Sequence, residues 1–566
     1  MDNEEIAKVL DETADMLEVA GENFFRVRAY RNAARAIRDQ TGKVAEMTRE
    51  QIDAIPGIGA DLAEKISSIG ATGEFALHRE MATQFPPELL ELRYIPGLGP
   101  KRLKILVDRL HIRDRDDLRR AITSGHLRQI RGFGAKIEER ILESLQRHEP
   151  AEAPRITYHE AARIAQELTA HLKKCKAVEA IDVAGSFRRK RETIGDLDIL
   201  VASNDADTVM SHFTAFAGIR EVTGTGTTKS TVVLKSGLQV DLRVVLPKSY
   251  GAALLYFTGS KSHNVHLRRI AQGKELLLNE YGLLRGDSVV ASRTEEQIYR
   301  ALDLAWIPPE LREDRGEIEA AAHGKLPHLI ERKDLRGDLH THSVYTDGRA
   351  SIEDMVREAQ AIGLDYIAIT DHSRRVSMAH GLEPKRLHEQ RREIDRIRRD
   401  FPDITILQGI EVDILDDGDL DLPDNALAEL DWVVASAHYQ LEQNSAEMTR
   451  RLIKAIRNPH VDVIGHPSGR LIGHREPSRF DLHEVLKVAR EEGCALEVNS
   501  QADRLDLTDT ACIAAKEAGV KLVVSSDAHS PRDFALLDYG INQARRGWLT
   551  KSDVINTRPV QQIRSR

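Results

Sequence analysis

Asp196 and Asp198 stand two residues apart in ETIGDLDILVAS, residues 192–203, where Leu197, Ile199 and Val201 alternate with Asp196, Asp198 and Leu200 after Gly195. That alternation reads as a β-strand. Residues i and i+2 of a strand share a face, so the two carboxylates lie close together and each raises the cost of ionising the other. A third acid, Asp241, falls in a second alternating strand, LQVDLRVV. If these strands are neighbours, three carboxylates converge. The natural counter-charge is a pair of magnesium or manganese ions, hard cations that take oxygen ligands. Two ions about 3.5–4 Å apart stabilise both the attacking and the leaving oxygen of a phosphoryl transfer. Three exposed strand acids, or a salt bridge to Arg188 and Arg189, would suit the same spacing.

A second constellation occupies the C-terminal part of the chain. HTH supplies His340 and His342, YTDG supplies Asp347, and TDH supplies His372. Glu411, His438, His466, Asp527 and His529 follow, each at or just after the C-terminal end of a short apolar run. His-x-His on a strand points both imidazoles one way, toward a shared metal. Mixed nitrogen and oxygen ligands suit zinc or manganese. Clustered ions of this kind lower the pKa of bound water and clamp a phosphate, which is phosphoester hydrolysis. His380 and His474 lack this placement and read as ordinary.

The elements that must hold these residues follow from the rhythm of the sequence. From residue 335 onward, GDLHTH, YIAITDH, ILQGIEVDI, WVVASAH, DVIGHP, ALEVNS and KLVVSSDAH alternate with helical segments such as SIEDMVREAQAIG and HEVLKVAREEG. Seven such units predict an α/β, (β/α)7-type parallel barrel with its site at the strands' C-terminal ends. Residues 154–248 predict an α+β unit: a helix over 158–174, then strands in AIDVAGSF, LDILVAS, STVVLKS and LQVDLRVVL. Residues 249–318 read as mostly helical, and the polar stretch 319–334 reads as a linker to the barrel unit, 335–566.

The first 150 residues read as all-helical, divided into 1–85 and 86–153 and closed by the Pro-rich break HEPAEAPR. They carry an internal echo: IPGIGADLAEKI (55–66), IPGLGPKRLKIL (95–106) and IRGFGAKIEERI (130–141). Two glycines allow a tight turn, and the helix that follows exposes its first N–H groups there. Such a terminus takes a phosphate oxygen without reading a base. In the third copy Arg131 replaces the proline, and an ordinary helix-to-helix turn is the alternative.

The 566 residues exceed one core; 41% are hydrophobic and 30% charged, as in a soluble multidomain protein. No apolar run approaches a membrane span and the N-terminus, MDNEEIAKVL, is acidic rather than signal-like. Cys175, Cys494 and Cys512 have no paired spacing, which excludes a disulfide framework or zinc ribbon and fits a reducing cytoplasm. The net charge of −9 argues against indiscriminate nucleic-acid binding, yet between Arg93 and His148 Lys and Arg outnumber Asp and Glu roughly two to one.

Several of these motifs resemble known families. The three hairpins resemble helix-hairpin-helix motifs, which grip the DNA backbone. GSFRRKRETIGDLDIL (185–200) resembles the nucleotidyltransferase signature of family X DNA polymerases, the DNA polymerase beta-like enzymes; YFTGSKSHNVHLR (256–268) and NEYGL (279–283) follow in that family's order. The resemblance covers residues 1 to about 318. It implies that Asp196 and Asp198 bind both metals, and that Asp241 ligates the catalytic one beside the primer 3′-hydroxyl. Gly185, Ser186 and Arg189 would hold the β- and γ-phosphates of a deoxynucleoside triphosphate. Tyr256, Phe257 and Gly259 would line the sugar, with Tyr256 as the barrier to a 2′-hydroxyl; Asn264 would touch the base edge and Arg268 the template strand. Gly57, Gly59, Gly97, Gly99 and Lys101 would contact the DNA backbone.

Two departures stand out. Gln239 replaces the family's arginine two residues before the third aspartate. Lys65 matches the lysine that forms a Schiff base during removal of a 5′-deoxyribose phosphate, and Tyr30 is retained. Asp61 and Phe25–Arg26, however, replace other residues of that 5′-phosphate pocket.

Residues 335 to about 545 resemble PHP (polymerase and histidinol phosphatase) domains with all nine ligands present. The resemblance implies one metal on His340, His342, Glu411 and Asp527, a second on Glu411, His438 and His466, and a third on Asp347, His372 and His529. The expectation is a monomeric, cytoplasmic repair polymerase acting on gapped or primed DNA, with a 3′–5′ exonuclease in the barrel. AP endonuclease and 3′-phosphatase activities belong to the same hydrolytic chemistry.

Overall fold

The aspartate run is a strand, Asp196–Ala202, in the computed structural model of the chain. The structure describes every residue except 2, 39, 41, 56, 96, 97, 131, 132, 135, 136, 139, 140, 143, 144, 146–154 and 564–566. The chain divides into two units, Met1–Pro154 and Arg155–Arg566.

The first unit holds helices and no strand among its described residues. Its two expected halves share one apolar core, in which Ile6, Leu10 and Ile66 are clustered with Leu103, Leu118 and Leu145. The Pro-rich break, apart from Arg155, lies outside the described residues.

The second unit opens with the helix Tyr158–Leu172, started by a capping box between Thr157 and Glu160. Five strands form the adjacent sheet in the order Ala180–Val183, Asp196–Ala202, Gln239–Val245, Lys229–Leu234, Ile219–Thr225. The last of these was not expected. Eight apolar residues of these strands, among them Leu197, Ile199, Val201, Val240 and Leu242, are buried on the side away from the aspartates.

Residues 249–318 are mostly helical, as expected, and add a small sheet. Helices Tyr250–Thr258 and Lys261–Gly273 are followed by a three-stranded antiparallel sheet, Leu277–Asn279, Gly282–Arg285 and Ser288–Ala291. The stretch read as a linker continues this region: the helix Glu317–Ala322 places Ile318 and Ala321 in its core, and Leu329 bridges Thr550.

The barrel has the seven expected parallel strands in sequence order: Gly337–Asp338, Tyr366–Ile369, Thr405–Asp413, Trp432–Ser436, Val463–Ile464, Ala495–Asn499 and Leu522–Ser525. Most of their residues are buried on both faces, as parallel strands covered by helices must be. The first and last strands meet just beyond their ends, where Thr341 bridges Ala528 and the His342 N–H donates to the Ala528 carbonyl at 2.8 Å.

Candidate metal centres

The first centre arises from strand register. Asp196–Ala202 and Gln239–Val245 run parallel, with Asp198 opposite Asp241 and Asp196 opposite Gln239, so all three carboxylates share one face. Burial first, then Asp196 and Asp241, push the Asp198 carboxyl up to about 7. Burial and Asp241 raise Asp196 as well. Arg188 is not spent on neutralising them: it donates to Glu295 at 2.7 and 2.9 Å and to Thr258 Oγ1 at 2.8 Å. Arg189 Nε donates to Glu313 at 3.1 Å. A clustered acid face whose nearby arginines point elsewhere fits divalent cations.

Gly185 shows how close its loop comes to the acid face. Its φ is +61°, and a Cβ there would meet Asp198 Oδ2 at 2.3 Å, so a side chain would collide with the carboxylate. Ser186 follows in the short helix Gly185–Arg188. Asp241 is held by residues that the sequence reading missed. Thr231, its cross-strand neighbour, donates to Oδ1, and Lys229 Nζ lies 3.6 Å from Oδ2. Gln239, where the family arginine would stand, is exposed.

Tyr256, Phe257 and Gly259 lie together at the end of Tyr250–Thr258. Tyr256 is exposed rather than packed in a core, and Phe257 lies under the Arg243 guanidinium, 4.9 Å from its ring centroid. Gly259 has φ +71°, and an added Cβ would lie 3.1 Å from Arg189 Nη1. Asn264 Nδ2 donates to the Tyr256 carbonyl at 2.7 Å. Tyr256, Asn264 and Arg268 line one cavity with Asn279, the first residue of NEYGL.

In the barrel all nine candidate ligands converge at the strands' C-terminal ends. Glu411, 1% exposed, lies at the centre. Its Oε1 faces His438 Nε2 at 3.2 Å and His466 Nε2 at 2.9 Å; its Oε2 faces His340 Nε2 at 3.4 Å and His342 Nε2 at 3.6 Å. One carboxylate thus presents a different oxygen to each histidine pair. Asp527 Oδ1 lies 3.1 Å from His342 Nε2 and 3.8 Å from His340 Nε2. Asp347 Oδ2 lies 3.4 Å from both His372 Nε2 and His529 Nε2. His372 also reaches Glu411 through Nδ1 at 2.8 Å, so it stands between two groups. Among the described residues, His340 Nε2 and both ring nitrogens of His342 are buried without a hydrogen-bond partner, which suits atoms that would ligate a metal. His466 and Asp527 have φ of +28° and +53°, a backbone cost that non-glycine residues carry where position matters.

Residues behind the ligands were not legible as such. Glu497, 1% exposed, meets His340 Nδ1 at 2.7 Å and accepts from the His466 N–H at 2.7 Å. Asp413, fully buried, meets His438 Nδ1 at 2.9 Å. Such partners fix the ring tautomer, leaving Nε2 of each imidazole for a metal. Asn499 Nδ2 donates to Asp527 Oδ2 at 3.0 Å. The only available signal was spacing, since Asp413 lies two residues after Glu411 on one strand.

Comparison with known proteins agrees with this division. The DNA polymerase beta palm matches residues 155–270 and the DNA polymerase beta thumb residues 253–313. A PHP domain matches 338–501, a helix-hairpin-helix domain 1–75, and a SAM-like helix-hairpin-helix tandem 89–147. The DNA polymerase/3′-5′ exonuclease PolX of Bacillus subtilis (strain 168) is 35% identical over 568 residues, covering 100% of this chain and 99% of that protein. The chain belongs to the PolX family. The barrel segment also resembles whole smaller proteins: a probable phosphatase of Thermoanaerobacter sp. (strain X514) is 33% identical over 236 residues, 39% of this chain and 89% of that protein. A probable phosphatase of Aliivibrio fischeri (strain ATCC 700601 / ES114) is 31% identical over 233 residues, 39% of this chain and 88% of that protein.

The helical unit of this PolX chain repeats one backbone turn three times. The N–H of Ile58, Leu98 and Phe133 donates to the carbonyl of Ile55, Ile95 and Ile130 at 3.0, 2.8 and 3.1 Å. Gly59 and Gly99 then cap the helices Ala60–Thr72 and Pro100–Leu110. The third copy makes the same bond despite Arg131, which lies outside the described residues, as does Gly97. Open space surrounds Gly57, Gly59 and Gly99 where a Cβ would stand, and Lys101 is exposed beside the second turn. Gly57 has φ +88°, so a side chain there strains the turn itself. Replacing Gly57 and Gly99 by valine is expected to weaken DNA binding about uniformly across unrelated sequences and to flatten its salt dependence. Fluorescence anisotropy on two unrelated duplexes checks this, and a loss confined to one sequence would refute a backbone clamp.

Lys65 lies 5.4 Å from the Tyr30 ring centroid and is ion-paired to Asp61 at 2.6 Å. Burial favours the neutral amine, but Asp61 and then Tyr30 outweigh it and raise the Lys65 pKa above its ordinary value. A Schiff-base nucleophile needs the neutral amine. Borohydride trapping of an incised abasic duplex is therefore expected to be slow near neutral pH and faster for Asp61→Asn. Trapping that is fast in the parent and unchanged by Asp61→Asn would contradict this.

Proposed function

We propose that this chain fills short gaps in DNA during repair by template-directed nucleotide addition in its palm, and degrades DNA 3′ to 5′ in its barrel. The observation that carries this reading is the pairing of two complete ligand sets in two separate folds: Asp198 beside Asp241 on adjoining strands, and Glu411 between two histidine pairs.

In the palm, Asp196, Asp198 and Asp241 would hold two magnesium or manganese ions, and in the barrel the nine ligands would hold up to three manganese or zinc ions. When bound, these ions neutralise charge on the reacting phosphate and activate the attacking oxygen. The chain's own residues do the rest. Gly185 lets the phosphate loop approach Asp198, while Ser186 and Arg189 hold the β- and γ-phosphates of a deoxynucleoside triphosphate as charge develops on the leaving pyrophosphate. Thr231 donates to Oδ1 of Asp241 and Lys229 stands beside Oδ2, which together orient this carboxylate toward the primer end. Tyr256, Phe257 and Gly259 line the sugar, Asn264 the base edge, and Arg268 the template strand. In the barrel His340, His342, Glu411 and Asp527 form one ligand group, Glu411, His438 and His466 a second, and Asp347, His372 and His529 a third. Glu497 and Asp413 keep two of the imidazoles in the ligating tautomer.

The test is one preparation of the full chain assayed twice: extension of a primer across a short gap with magnesium and with manganese, and shortening of a 5′-labelled single strand with manganese. Extension that ignores the template, or no shortening with any divalent metal, would refute the reading. A second reading, a phosphomonoesterase in the barrel, draws on the likeness to the probable phosphatases. Release of phosphate from a 3′-phosphorylated DNA end faster than removal of nucleotides would favour it.

A further inference from the structure

The nucleotide loop of the palm is held from behind by the barrel. Arg546 ends the barrel helix Leu537–Arg546 and is 3% exposed. Its Nη1 donates to the backbone carbonyl of Arg189 at 2.7 Å and to Glu313 Oε1 at 3.1 Å, while Nη2 donates to Asp509. The same Glu313 oxygen accepts from Arg189 Nε at 3.1 Å, and Arg189 Nη1 donates to the Thr258 carbonyl. Two of the three guanidinium nitrogens of Arg189 are thus fixed. Burial alone would raise the Glu313 carboxyl, but Arg546 and then Arg189 hold it down at about 2, so it is a permanent anion between two cations. Arg315 Nη1, 3.0 Å from Asp509, closes the network on the barrel side.

Nothing in PHP chemistry requires a buried arginine here, since Arg546 lies on a helix rather than at the ligand-bearing strand ends. Its three acceptors are the backbone of Arg189, the counter-ion of Arg189 and a barrel acid. Without Arg546, Glu313 would lose one of the cations that balance it and draw harder on Arg189 and Arg191, and the Arg189 backbone would lose its anchor. Both changes weaken triphosphate binding, whereas neither touches the reacting carboxylates.

We propose that Arg546, a side chain of the barrel domain, is a positioning residue of the polymerase nucleotide site, which it serves by fixing the backbone and the counter-ion of Arg189. This rests on the reading of Arg189 as a triphosphate ligand. The experiment is steady-state gap filling and single-strand degradation by the full chain, with Arg546→Met, Arg546→Lys and Arg189→Ala beside the parent. Arg546→Met is expected to raise the KM for the incoming nucleotide about fivefold or more, the scale of one lost charged hydrogen bond, with kcat and strand degradation within about twofold of the parent. An unchanged nucleotide KM, in a series where Arg189→Ala raises it, overturns the inference and leaves the Arg189 reading standing. An unchanged KM for Arg189→Ala overturns that reading, and the inference with it. Should Arg546→Met lower both activities together, Arg546→Lys decides, because it keeps the buried charge but cannot reach all three acceptors. Raised nucleotide KM at parental degradation supports the inference, and parental KM refutes it.

Discussion

Asp241→Ala is expected to abolish nucleotide addition while leaving binding of gapped DNA nearly intact. Asp241 is the carboxylate that register sets beside Asp198, and Thr231 and Lys229 are aimed at it from the neighbouring strand. On the proposed reading, its removal takes from the metal pair the ligand beside the primer end. Stabilisation by such ions is worth several kcal/mol, so extension should fall by at least about a thousandfold. DNA affinity should change little, because the phosphate grip is assigned to the three repeated turns of the helical unit. Primer extension in single turnover, with anisotropy on the same gapped duplex, checks both halves. Extension above a few per cent of the parent would contradict the carboxylate assignment.

Glu411→Ala should have an effect of similar size on the other activity. Each of its oxygens faces a different histidine pair, so its loss disturbs two ligand groups, whereas loss of His529 leaves the Glu411-centred groups intact. Manganese-dependent shortening of single-stranded or gapped DNA is expected to fall by about a thousandfold or more. Gap filling should survive, because the palm carboxylates stand on a separate sheet. Loss of metal can itself loosen a barrel, so circular dichroism and metal content accompany the assay. Parental degradation with the cluster's metal content reduced would show that these ligands serve another purpose.

Both candidate ligand sets were legible in the sequence, the palm acids through alternation along two strands and most of the barrel residues through their place where apolar runs stop. The alternation around Asp196 and Asp198 implied their shared face, and seven apolar runs, six of them with a candidate histidine or acid at their end, implied the barrel and its mouth. What could not be read has physical causes. Ile219–Thr225 is exposed along most of its length and carries little apolar alternation. The small sheet after residue 276 is made of strands three to four residues long, too short for a period to show. Glu497 lies in a fully buried strand and Asp413 at the buried end of another, so no polar alternation marks them. Thr231, Lys229 and Arg546 act on Asp241 and Arg189 across strand or domain contacts, which no spacing along the chain encodes.

The central claim is that the two activities reside in two metal centres on separate folds. Strand degradation by Asp241→Ala tests it most directly, with manganese, a 5′-labelled single strand and no nucleotide present. The account predicts a product ladder at the parental rate, since the barrel ligands are untouched. Loss of degradation in this variant, with Glu411→Ala still active, would place hydrolysis in the palm and contradict the assignment of the nine barrel ligands.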